Sequence, residues 1–156
     1  MIRKAKVADI KQIYDLIMEF ALKEEMLPRS LSELYDNLRD FFVFEKAGKI
    51  FGCCALHVMW EDLGEIRSLA VKTEEQGKGI GSKLVETCIG EMSQMGLSKV
   101  FALTYRPEFF EKKKFFRIDR AELPHKIWAD CIKCPKFPNC GEVPVMYKVK
   151  TNMEVA

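Results

Sequence analysis

The stretch EEQGKGIGSKLVE, Glu74 to Glu86, places glycines at 77, 79 and 81 immediately before an apolar helical repeat. Glycine in a helix costs up to about 1 kcal/mol against alanine, so bare backbone is needed where this helix begins. The first turn of a helix presents four amide groups without partners, and the helix dipole adds partial positive charge there. Such an end attracts phosphate, and glycine lets the approaching backbone come close to it. A strand, a polar turn, a glycine loop and a helix therefore form the unit around which the chain folds, which points to the α/β class.

The nucleotide loops of better-known spacing do not fit. A Walker loop requires a Gly-Lys pair followed by Ser or Thr, whereas Lys78 is followed by Gly79. A dinucleotide fingerprint reads G-x-G-x-x-G, and this segment reads G-x-G-x-G. The phosphate belongs to another ligand.

The rest of the chain supplies matching elements. MIRKA reads as a strand, and Ile10, Ile13, Tyr14, Ile17, Phe20 and Ala21 recur at helical steps. Ser30 and Glu33 have the spacing of a capping box, which predicts a second helix. Ala47-Gly48 separates FFVFEK from KIFGCCALHVMW as in a hairpin, and Glu61 to Gly64 reads as the next turn. In EIRSLAV the alternation of Ile66, Leu69 and Val71 is broken, which predicts a bulge or a strand buried on both faces. Leu84, Val85, Cys88 and Met92 continue the helix to Gly96, a C-cap. KVFALTY is a strand, PEFFEKKKF a short helix, and the final strand lies near VPVMYKVK.

A chain of 156 residues, 48% apolar and 31% charged, suits one globular domain. Its 25 basic and 23 acidic residues are mixed along the sequence, so no basic stripe marks a nucleic-acid partner. Asp9, Lys11, Asp15 and Glu19 interrupt the apolar residues near the start, and no segment has the length of a membrane span. The expected location is the cytoplasm. Cys53, Cys54 and Cys88 lie in apolar runs and read as small core residues.

Gln76-Gly77-Lys78-Gly79-Ile80-Gly81 after a strand, with LAV upstream and FFEKKKF downstream, resembles the acetyl-coenzyme A loop of the GCN5-related N-acetyltransferases, the GNAT family. The resemblance implies a single-domain α/β fold over residues 1–156, with a mixed central sheet of six or seven strands flanked by about four helices. It implies acetyl-CoA as cosubstrate, with Gln76, Gly77, Lys78, Gly79, Ile80, Gly81 and Ser82 at the pyrophosphate and Leu69, Ala70 and Val71 along the pantetheine arm. Lys78 and Lys83 either add charge for the phosphates or are merely solvated.

Acetyl transfer to an amine is helped by a base, because an unperturbed amine is mostly protonated at neutral pH. Glu65 matches the family position for that task; its other reading is a turn-closing surface carboxylate. The family's usual acid is a tyrosine in the short helix, and Phe110 stands there instead. Tyr105 is the substitute, unless its ring is in the core or the thiolate leaves unaided.

GEIRSLAV and ELPHKIWADCIKCPKFPNC resemble more closely the short, stand-alone N-acetylglutamate synthases among the amino-acid N-acetyltransferases. That implies glutamate as acceptor and a role in arginine biosynthesis. Arg67 and Arg106 are the candidate carboxylate clamps, or else structural ion-pair partners of Glu65 and Glu108. Glu65 and Arg67 are two apart on a strand and therefore share a face. His125, Cys131, Cys134 and Cys140 lie in a C-terminal loop, 125–141, and are expected to stay reduced or pair rather than bind metal, with Ile127 and Trp128 anchoring it. A protein or polyamine acetyltransferase is the alternative within the enzyme class, and a coenzyme A-binding sensor outside it. Partners are acetyl-CoA and a small amine acceptor, with no nucleic acid or membrane; a homodimer is left open.

Overall fold

The structure, a computed structural model, describes residues 1–124 and 141–149. The fold is α/β, with seven strands in a mixed sheet and four helices. By its internal contacts the chain divides into two compact units, Met1–Val100 and Phe101–Ala156.

In the first unit, β1 (Ile2–Lys4), β2 (Phe41–Lys46), β3 (Lys49–Trp60) and β4 (Leu63–Val71) lie in that order, each antiparallel to its neighbour. Ala47 and Gly48 join β2 to β3 at φ 53° and 79°, the left-handed pair that a two-residue hairpin turn requires. The turn before β4 is shorter than the sequence reading: Glu61 and Asp62 make it, and Gly64 lies buried inside the strand.

Helix α1 (Ile10–Ala21) buries the stripe foreseen from its periodicity. Ile10, Ile13 and Ile17 are fully buried, and they pack with Leu34, Phe41, Val43, Cys53, Ala55 and Ala70. Each buried Ile, Leu, Val or Phe side chain among them contributes about 1.5–3 kcal/mol. Helix α2 (Leu31–Asp36) starts at the capping box: Ser30 Oγ accepts from the Glu33 amide at 3.1 Å, and Glu33 accepts from the Ser30 amide at 3.4 Å. A 3-10 turn, Leu38–Asp40, then feeds β2 directly.

Helix α3 (Ile80–Met95) lies on the other face of the β3–β4 hairpin. It comes close enough that a Cβ on Gly52 would stand 3.2 Å from Leu84 and 3.3 Å from Ile80. The alternation of β3 is thereby explained: Cys53 joins the α1 core, while Cys54 faces α3 and meets Cys88, Sγ to Sγ, at 3.7 Å. All three thiols are buried. The C-terminus of α3 closes at Gly96 as expected, with the Leu97 amide donating back to the Met92 carbonyl at 2.9 Å.

The second unit takes over within β5 (Lys99–Thr104) and contains α4 (Pro107–Glu111), β6 (Phe116–Arg117) and β7 (Val143–Lys148). Its strand order is β5-β7-β6, with β6 and β7 antiparallel. Phe110 and Phe115 anchor it through a tilted edge contact at 5.0 Å.

Candidate active site

The broken alternation of EIRSLAV is a bulge. Cys53 pairs with Ala70 and Ala55 with Arg67, so the single residue Cys54 of β3 opposes both Ser68 and Leu69 of β4. Ser68 absorbs the extra residue at φ 57°, and Cys53 Sγ donates to its carbonyl at 3.3 Å. A left-handed serine costs about 1–2 kcal/mol, and bulges of this kind bend a strand and re-aim its side chains. Arg67 and Ala70 consequently share one face although they are three residues apart.

After β4 the chain makes a 3-10 turn at Thr73–Glu75 and enters the glycine loop. Gln76 braces it, its Nε2 donating to the Val71 carbonyl at 3.0 Å. Glu75 is buried beneath the loop and accepts from Lys46 at 2.6 Å and from Lys78 at 3.0 Å. These two hydrogen bonds hold its carboxyl below the usual range, Lys46 contributing most. Lys78 is therefore engaged with Glu75 in this structure rather than simply solvated.

Gly77 and Gly79 stand at φ 80° and 83°. A Cβ at either would meet nothing within 4 Å, so the glycines answer first to torsion and only second to close approach. The open space matters all the same. Gly79 is the N-cap of α3 and has no side chain with which to cap that end, while Gln76 to Gly79 are exposed. Ile80, Gly81 and Ser82 form the first helical turn. Exposed amides, a helix dipole and room for a ligand fit a diphosphate.

Upstream on the same strand, Glu65 Oε1 and Arg67 Nη1 are 3.6 Å apart, their side chains only 14% and 17% exposed. The same-face geometry expected from their spacing is present, and so is the Glu65–Arg67 pair that was its structural alternative. Opposite Glu65 in the ladder stands His57. Its Nδ1 lies 2.6 Å from Asp40 Oδ2. The sequence reading missed this pair. The only local signal is a histidine in the apolar run CCALHVMW; Asp40, on the turn ahead of β2, is brought to it by strand pairing alone.

In the second unit, Tyr105 lies just beyond β5 and is 38% exposed. Its ring is not a core residue. Arg106 is the N-cap of α4, with its amide donating to Thr104 Oγ1 at 2.9 Å. Glu108, the suggested ion-pair partner of Arg106, lies 3.6 Å from Arg117. Phe110 is buried, edge-on to Phe109 at 5.1 Å. His125, Ile127, Trp128, Cys131, Cys134 and Cys140 fall outside the described residues.

No helix among the described residues is long and apolar enough to cross a membrane. The pattern of the acetyltransferase (GNAT) family matches residues 7–117. An uncharacterized N-acetyltransferase of Chlorobaculum tepidum is 39% identical over 145 residues, 93% of this chain and 94% of that protein. The amino-acid acetyltransferase of Mycobacterium tuberculosis is 38% identical over 122 residues, 76% of this chain and 70% of its own. Among solved structures, N-acetylglutamate synthase from Neisseria gonorrhoeae, complexed with coenzyme A and N-acetyl-glutamate, superposes with TM-score 0.89 at 28% identity. That match covers 97% of this chain but 35% of the synthase. With this agreement added to the bulged strand, the glycine loop and the helix behind it, the chain belongs to the acetyltransferase (GNAT) family and is an N-acetyltransferase.

Proposed function

We propose that residues 1–156 form one catalytic domain that acetylates the α-amino group of an amino acid, with L-glutamate the first candidate and arginine biosynthesis the setting. As a GNAT enzyme the chain uses acetyl-CoA as cosubstrate. The observation that carries the choice of acceptor is the Glu65–Arg67 pair, a carboxylate and a guanidinium 3.6 Å apart on one strand face. An amino acid brings the complementary groups, an ammonium and a carboxylate.

In this reading, amides from Gln76 to Ser82 hold the diphosphate of the cosubstrate, and Leu69, Ala70 and Val71 line its pantetheine arm. Glu65 takes a proton from the acceptor ammonium, directly or through one water, and leaves a nucleophilic amine. Arg67 binds a substrate carboxylate with two parallel hydrogen bonds, and Arg106 is the other candidate clamp. Tyr105 gives the departing thiolate its proton, since Phe110 has none to give. The complex of the gonococcal synthase with N-acetyl-glutamate supports glutamate over other amines.

The test is thiol release from acetyl-CoA with glutamate, glutamine, leucine, spermidine and a lysine peptide in parallel. The expected order puts glutamate first in kcat/KM. Preference for spermidine or the peptide overturns the acceptor class, and coenzyme binding without acceptor-stimulated release overturns catalysis in favour of a sensor.

A further inference from the structure

We infer that His57, held by Asp40, is the proton-relay partner of Glu65, carrying the acceptor's proton from the carboxylate to solvent. The inference rests on Glu65 being the base, as proposed above. Three observations converge on it. Asp40 Oδ2 lies 2.6 Å from His57 Nδ1, which sets the ring orientation and, when Nδ1–H donates, leaves Nε2 as an acceptor. His57 is directly opposite Glu65 in the antiparallel register, so their Cβ atoms are about 5 Å apart on one face. The His57 side chain is 26% exposed, so it reaches solvent while Glu65, at 14%, is more enclosed.

Proton balance defines what the relay has to carry. An ammonium that becomes an amide N–H loses two protons as the C–N bond forms and the C–S bond breaks. One proton is matched by the S–H of the released thiol; the other must leave for solvent. Glu65 accepts it, and it must be free of it again before the next turnover. An imidazole oriented beside it and open to water provides that exit.

Among the described residues, few charged groups face His57. Asp40 comes from the turn before β2, and Glu65 and Arg67 come from β4. The α1 residues packed toward the sheet are Ile10, Ile13 and Ile17, while Lys11, Asp15 and Glu19 of that helix are exposed. Glu33 and Asp36 of α2 are exposed as well.

The experiment compares kcat and kcat/KM across pH for the wild-type enzyme, Glu65→Gln, His57→Gln and Asp40→Asn, using whichever amino acid turns over fastest, with acetyl-CoA affinity and thermal melting measured on each. In the wild type, the acid limb of kcat/KM should reflect two deprotonations. His57→Gln should lose kcat at least about 10-fold at neutral pH with acetyl-CoA affinity unchanged, and its acid limb should flatten to one deprotonation. Asp40→Asn should lower kcat in the same direction by a smaller factor. An acid limb of unaltered steepness in His57→Gln overturns the relay, and if that variant fails to fold, undiminished kcat in Asp40→Asn overturns it. Wild-type activity in Glu65→Gln overturns instead the underlying assignment of the base, so the two failures are told apart.

Discussion

Replacing Gly79 by alanine separates the two demands made on the glycine loop. Gly79 sits at φ 83° and ψ 9°, a left-handed conformation that costs an L-residue about 1–2 kcal/mol. Among the described residues, nothing beyond the adjoining backbone lies within 4 Å of the added Cβ, so no clash with a packed neighbour is added. For a domain of this size about 1 kcal/mol corresponds to roughly 2–4 °C in Tm, which sets the expected loss at about 2–8 °C. The new methyl group also stands among the exposed amides ahead of α3. A 10-fold rise in the Kd for acetyl-CoA corresponds to about 1.4 kcal/mol, a modest cost for a methyl group there. Gly79→Asn provides the control, because asparagine adopts the left-handed region more readily: it should recover much of the Tm and still bind acetyl-CoA poorly. Differential scanning calorimetry and isothermal titration read the two quantities independently. Wild-type affinity for acetyl-CoA in both variants would refute the role of the loop, and a Tm loss far beyond 8 °C in the alanine variant would refute the open space around Gly79.

Three further outcomes are expected. Glu65→Gln should lower kcat by about 10²–10⁴, the usual contribution of a general base, whereas Arg67→Gln should chiefly raise KM for the amino acid; steady-state kinetics with varied acceptor distinguish the two. Asp9 is clamped by both terminal nitrogens of Arg3, at 2.7 and 3.1 Å, and that contact, aided by the Lys6 amide, holds its carboxyl below the usual range. A depressed carboxyl stabilises the fold above its ordinary value near 3.9 and loses that contribution as pH falls through the native one, so Asp9→Asn should cost about 1.5–3 kcal/mol at neutral pH and flatten the fall of Tm below about pH 4. Burial pushes the Cys53 thiol up to about 12, and the contact with the Cys88 thiol, together with burial, raises Cys54 well above its ordinary value. Since the thiolate is the reactive form, mass-spectrometric mapping of alkylation should find Cys53, Cys54 and Cys88 labelled only when the chain unfolds; rapid labelling of the native protein would contradict their burial.

Much of the fold was legible because its signals are local. The stripe of α1, the capping box at Ser30 and Glu33, the Ala47-Gly48 turn and the Gly96 cap each depend on residues within a few positions of one another. The glycine loop was legible for the same reason: torsion at Gly77 and Gly79 and the exposed start of α3 are properties of one contiguous segment. Even the bulge left a trace, as an alternation that fails between Ile66 and Val71.

Pairing between distant segments decided the rest. The sequence could say that EIRSLAV was irregular, but only the register with β3 located the extra residue at Ser68 and returned Arg67 and Ala70 to one face. Lys78 read as a solvated charge more readily than as a phosphate ligand until the buried Glu75 was found to join it to Lys46 at the end of β2. Nothing near His57 in the chain announces Asp40 or Glu65; β2 and β4 bring the two carboxylates to it from opposite sides. Propensity and torsion act over a few bonds and can be read from the order of residues, whereas a partner contributed by another strand exists only after the backbone ladder has set which residues stand opposite each other.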